Sequence, residues 1–173
     1  GAIGGGEGID VAFRPDERIG EGATVAGPGW TLTAIPTPGH TADHLSFAWD
    51  EGGAVFTGDV VMGWATTLIS PPDGDLAAFR ASLARLRGRG EGVYYPGHGA
   101  PVGDPAALVD HVLAHRAARE AEIVAALGRG PSDVAGLVAA VYADLAPGLR
   151  GAAGRNVLAH LLDLGERGAV TVN

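Results

Sequence analysis

In the first third of the chain, short apolar-rich stretches at residues 9–13, 30–35, 45–49 and 54–57 are separated by turn-forming Gly, Pro and Asp. Runs of this length between turn signals predict extended segments, consecutive members of one sheet. Asp50, Glu51, Gly52 and Gly53 have the composition of a tight hairpin, which makes a β-meander the simplest arrangement. From Asp75 the pattern changes. Leu76, Phe79, Leu83 and Leu86 recur three or four apart, which predicts a helix with Asp73 or Asp75 as its N-cap and Gly88 and Gly90 at its end. A short strand at 93–95 then runs into Pro96, Gly97, His98 and Gly99, a loop that no regular element tolerates.

The remainder reads as helices over 105–127, 132–145 and 152–165, with Ser132 as a cap, closing on a strand at 169–172. Helix, helix, helix, strand predicts a small winged-helix-like module. Charge places its boundary near residue 115: residues 1–115 hold six Arg against fourteen acidic residues, whereas residues 116–173 hold six of each. No internal repeat is evident.

Composition narrows the function classes. Nearly half the residues are apolar, but no run approaches the roughly 18–20 residues of a membrane span, so no membrane association and a cytoplasmic location are expected. With no Cys, any transition metal has to be held by imidazoles and carboxylates. The net charge of −8 opposes broad attraction to polyanions, so a small-molecule substrate is expected ahead of nucleic acid. The chain begins Gly1, Ala2, Ile3 rather than with Met, and a natural sequence extending upstream is expected.

Three strand-to-loop transitions each deliver a side chain suited to zinc. His40 follows Thr37, Pro38 and Gly39; Asp59 follows Phe56, Thr57 and Gly58; His98 sits between Gly97 and Gly99. Taken singly, a His or Asp after glycine is most often a turn residue. Neutral imidazole and carboxylate are, however, the donors that Zn²⁺ accepts without thiolates, and three such deliveries point to one shared metal cleft.

These segments, Thr37-Pro-Gly-His-Thr41, Phe56-Thr-Gly-Asp59 and Tyr95-Pro-Gly-His-Gly99, resemble in order and spacing the later motifs of the metallo-β-lactamase superfamily. Ser70-Pro-Pro-Asp-Gly-Asp75, Ser82-Leu83 and His115-Arg-Ala-Ala-Arg-Glu120 extend the likeness to its β-lactamase-like subgroup with a C-terminal winged helix. The resemblance implies an α+β fold: the C-terminal half of an αββα sandwich over residues 1–115, then the winged-helix-like domain over 116–173. It further implies that His40 binds one metal, His98 a second, and that Asp59 bridges them, with two Zn²⁺ in the intact site and other divalent metals as alternatives. Metal-bound hydroxide would then attack an ester, thioester, amide-like or phosphodiester bond. The family's His-x-His-x-Asp-His motif occurs nowhere in the chain. It is expected upstream of Gly1, so this piece alone is expected to be inactive and to leave an apolar sheet face open, through which a homodimer can form. The alternative is a non-catalytic regulatory module whose winged helix binds a partner.

Further residues are weighed for supporting roles. Asp43 has the chemistry to orient a ligand imidazole or to serve a turn, and His44 to contact substrate, support the site or serve structure. Trp64 is balanced between a wall of the substrate cleft and packing beneath it. His111 and His115 are expected to make structural contacts, and His160 to be a hydrogen-bonded residue at the edge of the core.

Overall fold

The computed structural model describes Ala12 and residues 14–171. One five-stranded sheet runs in the order β1 (Thr24–Gly27), β2 (Trp30–Pro36), β3 (Leu45–Trp49), β4 (Ala54–Gly58) and β5 (Val93–Pro96). β2, β3 and β4 form the expected antiparallel meander, with β3 and β4 joined across residues 50–53, and β1 pairs antiparallel with β2 at its edge. β5 lies parallel to β4. A parallel neighbour needs a crossover, and helix α1 (Leu76–Arg87) lies within that connection.

Register puts Ile35 opposite Ser46, Ala48 opposite Val55 and Val55 opposite Tyr94 on one face of the sheet. Phe79, Leu83 and Leu86 of α1 belong to the same core as that face and are fully buried. Each such burial is worth about 2 kcal/mol. The Tyr94 hydroxyl donates to the Leu86 carbonyl at 2.7 Å, which ties β5 to the end of the helix. On the opposite face Trp49, Phe56 and Tyr95 stack in a row, with ring centroids 6.5 and 5.4 Å apart, and Phe56 is 40% exposed.

Helix α2 (Pro105–Leu127) runs without a break across the boundary expected near residue 115. Its Val109 and Val112 pack into the sheet's core, and its Ile123 and Ala126 into a second core with α3 (Val134–Val141) and α4 (Arg150–Glu166). No helix among the described residues is long and apolar enough to cross a membrane.

Several expectations need correction. β1 was not predicted, because its side chains are nearly all exposed and carry no alternation to detect. The strand expected at 9–13 lies outside the described residues apart from Ala12. Of the two expected cap candidates, Asp75 caps α1, accepting from the Ala78 amide at 2.7 Å, while Asp73 accepts from the Ala42 amide. Asp133, not Ser132, caps α3, and that helix ends at Val141, short of residue 145. Residues 169–171 form no strand, and Val172 lies outside the described residues. His160 is fully buried, and neither ring nitrogen has a hydrogen-bond partner among the described residues.

Candidate active site

The three loops singled out by sequence converge at one end of the sheet. His40 follows β2, Asp59 follows β4 and His98 follows β5. The two Asp59 carboxylate oxygens face different imidazoles: Oδ2 lies 3.9 Å from His40 Nε2, and Oδ1 lies 3.7 Å from His98 Nε2. Both separations exceed hydrogen-bonding distance. They stay within the maximum of about 4 Å that two metal–ligand bonds of roughly 2 Å each can span, so one cation can reach both donors of each pair. Donor chemistry and the two-sided carboxylate therefore fit a pair of cations sharing Asp59. Among the described residues no three His, Asp or Glu side chains gather around one point, so each position receives two donors from these residues.

Hydrogen bonds fix the tautomers. His40 Nδ1 lies 2.8 Å from the Leu68 carbonyl, which can only accept, so Nδ1 carries a proton and Nε2 is the nitrogen that faces Asp59. The Asp59 amide donates to His44 Nε2 at 3.1 Å. His44 Nδ1 must then carry its proton and donate to the Thr37 hydroxyl at 2.8 Å, which donates to Ser46, which donates to the Thr57 carbonyl. Burial, followed by the His40 ring, holds the His44 imidazole below its ordinary value, consistent with the neutral form these bonds require. Both His44 nitrogens are thus occupied in supporting the Asp59 backbone and the turn before His40.

Two glycines make this packing possible. Gly58 adopts φ +53°, and a Cβ there would come within 2.7 Å of His44 Nε2. At Gly97 a Cβ would come within 2.5 Å of Asp59 Oδ1. Any larger residue would displace the carboxylate or its support.

The remaining candidates separate. Asp43 accepts from the Thr41 hydroxyl at 3.0 Å rather than from His40, whose Nδ1 is held by Leu68. Trp64 is 72% exposed, which rules out packing beneath the site. It stands beside the His98 loop, where the Gly63 amide donates to the His98 carbonyl at 2.9 Å. Residues 62–66, with Leu108, His111 and Val112, line a shallow cavity of about 210 Å³. Sequence reading did not find Thr37, Ser46 and Thr57, fully buried hydroxyls at positions where an apolar side chain would be the rule. Arg116, quoted only as part of the run 115–120, and Asn156 carry no predicted role, yet both reach the loop after Asp59.

Residues 2–98, more than half of the chain, match the family model described as the metallo-beta-lactamase superfamily. The chain belongs to that superfamily. Residues 134–173 match the beta-lactamase associated winged helix domain, so this superfamily member carries such a domain at its C-terminal end. Among curated proteins, a Caenorhabditis elegans relative named beta-lactamase-like protein 2 homolog is 36% identical over 153 residues, covering 88% of this chain and 50% of the relative. An atrochrysone carboxyl ACP thioesterase of Aspergillus fumigatus is 34% identical over 118 residues, covering 66% of this chain and 36% of the relative. A metallo-beta-lactamase family protein from Thermus thermophilus superposes with a TM-score of 0.81 at 28% identity, over 91% of this chain and 52% of that one. This metallo-beta-lactamase superfamily chain thus spans half or less of the length of the curated relatives it matches.

Proposed function

We propose that this chain carries part of the active centre of a metal-dependent hydrolase acting on small-molecule esters, thioesters, amide-like or phosphodiester bonds. The observation that carries the reading is Asp59, whose two carboxylate oxygens lie 3.9 and 3.7 Å from the Nε2 atoms of two different imidazoles, those of His40 and His98. Two Zn²⁺ or similar divalent cations held by His40, Asp59 and His98 would acidify a bound water and polarise the scissile bond. The chain's own residues do the positioning. The Leu68 carbonyl keeps the His40 proton on the far nitrogen, and His44 fixes the Asp59 backbone. The exposed Trp64 offers an apolar wall beside His98 for the acyl or ring portion of a substrate. Thioesters lead the substrate classes because several curated relatives at 32–37% identity are named thioesterases.

Metal uptake tests this reading. On titration with Co²⁺ or Zn²⁺, the imidazole NMR signals of His40 and His98 should shift together, and Asp59→Ala should weaken uptake at least tenfold. In the polypeptide that carries this chain, the same substitution should abolish hydrolysis of an acyl thioester. Equal metal binding by the wild-type and Asp59→Ala proteins would exclude the proposed centre and favour a non-catalytic module.

A further inference from the structure

Residues 67–69 lie in an irregular, largely buried segment between Asp59 and α1, so their backbone groups need partners from outside any sheet. Three of these backbone groups are met by side chains. The Thr67 carbonyl accepts from Arg116 Nη2, the Leu68 carbonyl from His40 Nδ1 at 2.8 Å, and the Ile69 amide donates to Asn156 Oδ1 at 3.1 Å. Arg116 Nη1 donates to the same Asn156 oxygen at 3.1 Å, and the Thr67 hydroxyl donates to the Asp59 carbonyl at 2.6 Å. One short segment therefore touches His40 and Asp59 on one side, and α2 and α4 on the other.

Arg116 is 2% exposed, and no carboxylate among the described residues pairs with it; its guanidinium lies 5.2 Å from the centroid of the Phe79 ring. A buried cation held only by carbonyl oxygens and a ring face is costly to maintain. Packing alone would be served better by an apolar side chain of similar volume. What a methionine or leucine could not supply is the fork that holds the Thr67 carbonyl and the Asn156 oxygen at once. Arg116 is also the second residue of the His115-Arg-Ala-Ala-Arg-Glu120 run, which metal chemistry leaves unexplained. Glu120 of that run pairs with Arg80 of α1 and with Arg167, just past the end of α4.

We propose that Arg116 and Asn156 are positioning residues, through which the C-terminal helices clamp residues 67–69 and so set the tautomer and aim of His40 and the seat of Asp59. The C-terminal helices then act on the site from within the fold and need no contact with substrate. The inference rests on the reading of His40 and Asp59 as metal ligands, but its test does not.

Long-range ¹H–¹⁵N spectra of the histidine rings read the clamp directly in the metal-free chain. In the wild type, His40 should show a single tautomer with its proton on Nδ1. In Asn156→Leu, the two His40 nitrogen signals should move toward the average of a mobile ring, while those of His111 on α2 stay in place. Asn156→Asp keeps the acceptor oxygen and should restore the wild-type pattern, a rescue that a purely packing role would not give. Should Asn156→Leu fail to fold, Arg116→Lys, which keeps the charge but loses the fork, should release His40 in the same way. With metal, each releasing variant should need roughly tenfold more Co²⁺ for half-saturation, the range seen when a ligand loses its orienting partner. An unchanged His40 tautomer in a folded variant overturns the clamp. A wild-type chain in which Co²⁺ and Zn²⁺ leave His40 and His98 unmoved overturns the metal reading instead.

Discussion

His160 gives the stability of this chain a pH dependence that can be worked out in advance. Its ring is pushed from the ordinary 6.5 down to about 4, first by burial and then by the Arg116 and Arg80 charges, with Glu120 and Asp163 pulling weakly the other way. Above pH 6.5 the ring is neutral in both the folded and the unfolded chain and contributes nothing. Below 6.5 the unfolded chain takes up a proton that the folded chain refuses until about pH 4, so stability falls as pH falls across that window. The full loss is about 3 kcal/mol, and about 2 kcal/mol of it is spent by pH 5. Glu120 does not confuse the reading: burial works against its charge, but hydrogen bonds from Arg167 and Arg80 hold its carboxyl below the ordinary range, so it stays ionised at pH 5. Urea unfolding at pH 7 and pH 5 of the wild type and of His160→Leu, a change of similar volume, isolates the effect. The wild type should lose about 2 kcal/mol more than the variant between the two pH values. Equal losses would show that His160 accepts its proton in the folded state, by closing the 3.9 Å gap from Nδ1 to Glu120, and would refute the argument.

Two further outcomes follow from the geometry. Gly58→Ala forces a side chain into a left-handed conformation and against His44, and should cost about 2–3 kcal/mol in urea unfolding and shift the His44 ring signals, whereas Gly20→Ala, with open space around it, should be close to neutral; similar effects of the two would show that the Gly58 turn is not required. The row of half-buried Trp49 and Tyr95 around exposed Phe56 should drive self-association of the isolated chain, so sedimentation velocity should give a dimer that Phe56→Glu returns to monomer, and a wild-type monomer at high concentration would contradict this.

Much of this architecture is legible in the residues, for a physical reason that differs between its parts. β2, β3, β4 and α1 were readable because each buries one face, and a buried face writes its pattern into the sequence, as Leu76, Phe79, Leu83 and Leu86 do. The convergence of His40, Asp59 and His98 was readable because delivering a polar group from a strand end needs glycine and proline around it. β1 was hidden because its strand is held by backbone pairing to β2 with little side-chain burial. Arg116, Asn156 and the Leu68 carbonyl were hidden because their roles depend on contacts 28 to 87 residues away along the chain. Ser46 and Thr57 left a faint trace as small hydroxyls at core-facing positions, which an apolar count overlooks.

The unbroken course of α2 through two cores sets a rotational phase between them. Val109 and Val112 address the sheet, and Ile123 and Ala126 address α3 and α4, along a rod that turns roughly 100° per residue. A single residue inserted between Val112 and Ile123 would swing one apolar stripe by that angle relative to the other, and Arg116 with whichever half it followed. An insertion of four residues, about 40° beyond a full turn, would come nearer to restoring the alignment. Within the family, length changes in this helix should therefore be tolerated in steps of about a turn, while the loops on either side of it remain free to vary one residue at a time.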